Sequence, residues 1–156
     1  MSRLTRRAAL GIVFVPLAGC GFSKAPVRQQ SAAQYAGNTP EMQALVARYA
    51  RALQVPPELL HYVIRVESGY NPAARNGPYY GLMQINPDTA RTMGYDGPPS
   101  GLLDPETNLR FAGAYLRGAY IVANGDPEEA YSWYRRGYYY EARDRGLLEE
   151  TGLRRG

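Results

Sequence analysis

The chain has 156 residues with one cysteine, one histidine and a formal net charge of +4, enough for one compact domain with a real core and little more. A single Cys excludes an intrachain disulfide, and one Cys with one His excludes a Cys/His zinc set. The positive charge belongs to the leader: Arg3, Arg6 and Arg7 stand there without acids, whereas from Cys20 onward 15 basic residues face 14 acidic ones for a net +1, so no nucleic-acid partner is expected.

Residues 1–19 read as an export signal: Arg6-Arg7, an apolar run from Ala8 to Leu17 too short to span a bilayer comfortably, then Leu17-Ala18-Gly19-Cys20. Thr5-Arg6-Arg7-Ala8-Ala9-Leu10 resembles a twin-arginine signal, and the four residues ending at Cys20 resemble a bacterial lipobox. The resemblance implies cleavage before Cys20, acylation of Cys20 and stable membrane anchoring. Gly21 at the next position, rather than Asp, implies outer-membrane sorting. The alternative is an ordinary signal peptide with an incidental cysteine. Residues 20–38 are small and polar, without periodicity, and read as a tether.

Residues 39–150 read as the folded domain, and a helix-start pattern recurs through them. Thr39-Pro40, Asn86-Pro87, Asp104-Pro105 and Asp126-Pro127 each place a capping side chain before proline at the first helical position. Pro57 starts another helix without such a cap. Glu129, three residues after Asp126, makes a capping-box pattern, and Gly69, Gly94, Gly125 and Gly137 mark helix stops. Met42, Leu45, Val46, Tyr49 and Leu53 form one helical stripe. Leu109, Ala112, Tyr115, Leu116, Ala119, Val122 and Ala123 form a longer one, whose small residues suit a closely packed central helix. No run of strand alternation, internal repeat or second domain is evident, so the fold class is all-α. At the end, Leu147 and Leu148 are expected to pack before a short tail, 151–156, frays.

One carboxylate stands out. Leu60, Val63, Ile64 and Glu67 fall on one face of the helix that begins at Pro57. A carboxylate continuing an apolar stripe loses hydration, which disfavours its charged form and makes it a candidate proton donor. The plain alternative is a solvated last-turn residue. His61 lies on another face, and no G-x-S-x-G elbow accompanies it, so it reads as structural. The 14 tyrosines are either half-buried core residues with wet hydroxyls or platforms for a flat polar ligand such as a sugar.

Glu67-Ser68-Gly69-Tyr70-Asn71-Pro72 is followed by Gly81-Leu82-Met83-Gln84-Ile85-Asn86-Pro87-Asp88-Thr89-Ala90, and then by Leu103-Asp104-Pro105-Glu106-Thr107-Asn108-Leu109 with Ala114-Tyr115-Leu116. These blocks resemble, in order and spacing, the soluble-lytic-transglycosylase (SLT) family. The resemblance covers roughly residues 40–140 and implies a lysozyme-like helical domain with a substrate cleft. It implies an enzyme acting on peptidoglycan strands at the β-1,4 bond between N-acetylmuramic acid (MurNAc) and N-acetylglucosamine (GlcNAc). In that chemistry Glu67 protonates the glycosidic oxygen, then acts as base while the muramoyl C6 hydroxyl closes a 1,6-anhydro ring, so no water is consumed. No cofactor and no metal are implied.

The residues by themselves fit this reading. Ordinary glycosidases flank the bond with two carboxylates. Here the nearest downstream acid, Asp88, has a local role at a helix start, although a second acid arriving from elsewhere in the fold stays open. Gly81 is expected to let backbone approach the cleft, and Gln84 to contact sugar or Glu67. Met83 either contacts sugar or packs in the core. Ser68 either bonds substrate or caps its helix, and Asn71 holds an Asx-type turn before Pro72.

Two stretches depart from the family pattern. Asn76-Gly77-Pro78-Tyr79-Tyr80 stands where the family has a serine and a Gly-Ala pair with one more residue, which makes Tyr79 and Tyr80 candidate aromatic contacts to substrate. Tyr134-Arg135-Arg136-Gly137 stands where the family has Tyr-Asn-Ala-Gly. Tyr134 matches the tyrosine that supports the catalytic glutamate, and Arg135 replaces the asparagine. Tyr138, Tyr139 and Tyr140 either stack on sugar in compensation or only pack. The expected protein is a lytic transglycosylase held through lipidated Cys20 on the periplasmic side of the outer membrane. The alternatives are a hydrolytic muramidase and a non-catalytic, glycan-binding envelope lipoprotein.

Overall fold

The computed structural model describes residues 36–153; the export signal, Cys20, most of the tether and residues 154–156 lie outside that range. In chain order the elements are α1 (Pro40–Leu53), α2 (Pro57–Ser68), β1 (Arg75–Asn76), β2 (Tyr79–Tyr80), α3 (Pro87–Thr92), a 3-10 turn (Pro99–Leu103), α4 (Pro105–Val122), α5 (Pro127–Arg136) and α6 (Tyr139–Asp144). Four helices start as the capping pattern predicts: Thr39 accepts from Met42 N at 3.2 Å, Asn86 from Asp88 N at 2.8 Å, Asp104 from Thr107 N at 2.8 Å and Asp126 from Glu129 N at 2.7 Å. α2 begins at Pro57 with no side-chain cap. The capping box at α5 is only half formed. The Asp126 amide already donates to Ala123 O at 3.1 Å, so the Glu129 carboxylate accepts from Trp133 Nε1 at 3.3 Å instead.

α4 is the central helix, packed against α1, α3, α5 and the 3-10 turn. Leu109, Ala112, Leu116, Ala119 and Val122 are wholly inside, on the face its stripe predicts. At Gly118 a Cβ would collide with Tyr138 Oη, so the missing side chain makes the space that Tyr138 fills. Tyr138 is 1% exposed, stacks on Tyr115 with ring centres 4.7 Å apart and donates to Tyr115 O at 2.8 Å. It is therefore a core residue, and the stacking role considered for it is corrected. Tyr139 and Tyr140 stay exposed, edge to face at 5.5 Å.

The strands are too short for alternation to register in sequence. β1 and β2 pair antiparallel, Arg75 opposite Tyr80 and Asn76 opposite Tyr79, around Gly77-Pro78, with Gly77 at φ +58°. At the other end, packing runs past Glu150: Thr151 and Leu153 are buried, and Thr151 Oγ1 donates to Leu147 O at 2.8 Å. The tail expected from residue 151 is thus folded back through Leu153, because the threonine hydroxyl closes a turn on a preceding carbonyl. Among the described residues no helix is long and apolar enough to cross a membrane.

Candidate active site

α2 buries Leu59, Leu60, Val63 and Ile64, and Glu67 continues that face into the last turn, where the core ends and a cleft opens. A space of about 280 Å³ is lined by Glu67, Asn76, Tyr79, Gln84, Tyr134 and Arg135. About 220 Å³ more shares Tyr79, Gln84, Tyr134 and Arg135 with it and continues to Tyr115, Arg136 and Gly137. Glu67 is half-buried, and Tyr131 Oη donates to its Oε1 at 2.9 Å. Tyr62 meets the Tyr131 ring edge-on at 5.1 Å and fixes its position. Burial above all, then the hydrogen bond and charge of Glu67, push the Tyr131 phenol up to about 12 against the pull of Arg135. At neutral pH Tyr131 therefore remains a proton-bearing donor to the carboxylate.

The facing wall is the turn from Gly81 to Ile85, and α4 holds it through one buried side chain. Asn108, 0% exposed, accepts from Met83 N at 2.9 Å and donates to Tyr80 O at 2.9 Å and Leu102 O at 2.8 Å. Gly81, at φ +75°, makes room for this: a Cβ there would collide with Leu102 O and Asn108 Nδ2. The close approach predicted at Gly81 is thus to the interior of the fold, not to the cleft. Met83 is pulled inward by the same contact and is 0% exposed, which makes it core packing and corrects its place among the substrate contacts. Gln84 sits at φ +48° and lines the cleft. Its Nε2 donates to Gly81 O at 2.9 Å and Ala74 O at 3.1 Å, and among the described residues no hydrogen bond reaches Oε1.

The tyrosines sort differently from expectation. Tyr134 Oη is buried and donates to Met83 O at 2.7 Å, so this hydroxyl braces the turn and makes no hydrogen bond to Glu67. The glutamate's partner is Tyr131, one helical turn earlier. The sequence carried a signal for it: the helix period sets Tyr131, Tyr134 and Arg135 on one face of α5 at i, i+3 and i+4. Tyr79 is exposed and lines the cleft. Tyr80, next along the strand, packs toward the core, with Arg75 over its ring at 4.7 Å and donating to its Oη at 3.0 Å. It is not a cleft residue, because successive strand side chains point to opposite faces.

Ser68 Oγ donates to Ile64 O at 3.1 Å within its own helix and is not among the residues lining the two stretches of cleft. Asn71 holds its Asx turn through Ala73 N at 3.0 Å. Asp88 pairs with Arg91 at 2.6 Å in the first turn of α3. Among the described residues lining the two stretches of cleft, Glu67 is the one acid. A carboxylate held by a phenol at the mouth of an apolar face can release a proton to a bound oxygen and take one back.

Residues 44–146 match the family described as Transglycosylase SLT domain. The chain is 41% identical over 80 residues to the endo-type membrane-bound lytic murein transglycosylase A of Klebsiella pneumoniae, a match covering 46% of this chain and 37% of that one. It is 36% identical over 84 residues to the soluble lytic murein transglycosylase of Escherichia coli K12, covering 49% and 13%. The crystal structure of the 70 kDa soluble lytic transglycosylase of Escherichia coli aligns with a TM-score of 0.58 and 29% identity, over 69% of this chain and 18% of that one. The chain therefore spans well under half the length of these relatives. The fold is the all-α, lysozyme-like one that the sequence blocks imply. The matched span runs from within α1 to just past α6 and carries both walls of the Glu67 cleft, and on that ground the chain belongs to the transglycosylase SLT domain family.

Proposed function

We propose that this domain is a peptidoglycan lytic transglycosylase that cleaves the β-1,4 bond between MurNAc and GlcNAc and leaves 1,6-anhydro-MurNAc ends. The observation that carries the reading is the solitary carboxylate: Glu67 lines the cleft with Tyr131 on one oxygen and no second acid across from it among the described residues. Hydrolysis by the usual routes needs a flanking pair, one carboxylate as acid and one as base or nucleophile. With one carboxylate, the substrate's own hydroxyl supplies the nucleophile. Glu67 gives its proton to the glycosidic oxygen as the C1–O bond breaks. The resulting carboxylate then takes the proton of the muramoyl C6 hydroxyl as O6 bonds to C1. Tyr131 steadies the ionised form by a charge-assisted hydrogen bond, and holding sugar and acid together supplies the proximity that an intramolecular closure exploits. Tyr79 and Gln84 Oε1 offer a ring and an acceptor to the sugar.

The signal and lipobox residues support a chain anchored through acylated Cys20 on the periplasmic side of the outer membrane. The names of the relatives, lytic murein transglycosylases, support the same substrate class. Mass spectrometry of fragments released from purified sacculi tests the chemistry. Anhydro ends are expected. Reducing ends would make the protein a muramidase, and retention on sacculi without release would make it a glycan-binding lipoprotein. The mass of the mature protein extracted from membranes tests Cys20, and an unmodified cysteine there overturns the anchor.

A further inference from the structure

The wall that α5 lends to the cleft is cationic, and neither the proton donor nor its phenol requires that. Arg135 lines both stretches of the cleft, and Arg136 joins it where the space continues past Gly137. Arg135 is exposed, and no ion pair joins it to Glu67 or to any other described carboxylate. Its position is set from behind, with the guanidinium 5.8 Å from the centre of the Tyr131 ring. Arg136 is held by Trp133, 3.7 Å from its ring centre. Asp88 and Glu141, acids bordering the neighbouring surface, are engaged by Arg91 at 2.6 Å and Arg145 at 3.8 Å. Among the described residues, the groove thus presents a planar fork of donors held in no ion pair, with Glu67 as the one acid lining it. A neutral sugar hydroxyl matches such a fork poorly, whereas a carboxylate matches it with two parallel hydrogen bonds.

We propose that Arg135 is a specificity-determining residue that pairs with a carboxylate on the 3-O substituent of the bound muramoyl unit. Two sources share that chemistry. In strands without peptide it is the lactyl carboxylate of muramic acid itself, and in strands with peptide it is a carboxylate of the attached stem. The inference rests on the transglycosylase reading, which supplies a muramoyl unit in this groove. Arg136, anchored on Trp133, extends the positive field along the strand without taking the fork contact.

The test uses uncrosslinked glycan strands in two forms, stem-bearing and stem-free, each also prepared with its carboxylates blocked as methylamides. Initial rates are measured for the native domain, Arg135→Gln and Arg135→Lys, with thermal melts to show that each is folded. Blocking is expected to lower the native kcat/KM about tenfold, chiefly through KM. In Arg135→Gln the ratio between free and blocked strands falls to about one, and Arg135→Lys keeps part of it, as a point charge without the fork. Loss of the ratio on stem-free strands assigns the lactyl carboxylate, and loss confined to stem-bearing strands assigns the peptide. Arg135→Gln retaining the native ratio on both forms overturns the proposal. If the native domain cleaves none of the strands, the transglycosylase reading fails by itself. The pairing is then decided by retention of the Glu67→Gln chain on free and blocked strands, with and without Arg135→Gln: preference for free strands that needs Arg135 supports it, and equal retention overturns it.

Discussion

Asn108 on α4 and Glu67 on α2 both interrupt an apolar helix face with a polar side chain, and the molecule treats them in opposite ways. Asn108 is sealed in the interior and directs its amide at three backbone groups, Met83 N, Tyr80 O and Leu102 O. Glu67 lines the cleft with one oxygen bonded by Tyr131 and, among the described residues, no further hydrogen bond. A neutral amide with its hydrogen bonds used inside the protein fixes a turn. A carboxylate with unused acceptors beside a void is free to exchange a proton with a ligand. What separates scaffold from chemistry here is where the remaining hydrogen-bond capacity points, not burial or polarity alone.

Two substitutions should break the molecule along that line. Glu67→Gln keeps the shape and removes the proton, so turnover on sacculi should fall by roughly 10³-fold, while stability in urea stays within about 1 kcal/mol. Asn108→Leu should do the reverse. It strands the Met83 amide and Leu102 O in the interior and leaves Tyr80 O with the Ile85 amide alone, at a cost of roughly 3 kcal/mol in urea unfolding. A Glu67→Gln variant that unfolds early, or an Asn108→Leu variant as stable as the native chain, would erase the distinction.

The scaffold side of this comparison was largely legible in the sequence, because its signals are local. Thr39, Asn86, Asp104 and Asp126 cap the helices that their positions before proline announce, and the long stripe on α4 is the buried one. The place of Glu67, beside the cleft at the polar end of an apolar stripe, was legible for the same reason. The cleft walls were not, since they depend on which elements meet. Met83 is drawn inward by an asparagine 25 positions away. Tyr138 fills a hole left by the missing side chain of Gly118 on another helix. The support for Glu67 falls to Tyr131 and not Tyr134, because Tyr134 reaches the turn that Asn108 has already fixed. No spacing rule along the chain contains those facts.

Removing single hydroxyls sharpens the contrast inside one helix. Tyr131→Phe deletes the donor to Glu67, so kcat should fall about tenfold, with stability within about 1 kcal/mol. Tyr134→Phe leaves Met83 O unbonded in the interior, which should cost about 1–2 kcal/mol in stability and touch turnover less. Exchanged outcomes, activity lost in Tyr134→Phe and stability lost in Tyr131→Phe, would return the glutamate's support to Tyr134.

The smallest effect belongs to His61, also on α2, whose Nδ1 lies 2.7 Å from Tyr70 Oη. Desolvation foremost, with Glu58 opposing it and Arg65 adding to it, holds the imidazole below its ordinary value of 6.5. The folded chain thus takes up this proton less readily than the unfolded chain does. Stability is unaffected above pH 6.5, where both states hold the ring neutral, and is lost as pH falls through 6.5 toward the lower folded value. As far as His61 sets it, melting temperature should accordingly be level from that pH up to the range where tyrosines ionise, and decline below it. His61→Gln should flatten the first part of the decline while leaving turnover at neutral pH unchanged, since its ring meets Tyr70 and neither residue is among those lining the cleft. Turnover lost in His61→Gln with the melting temperature intact would put the imidazole in the proton path, and the division between scaffold and chemistry on α2 would have to be redrawn around it.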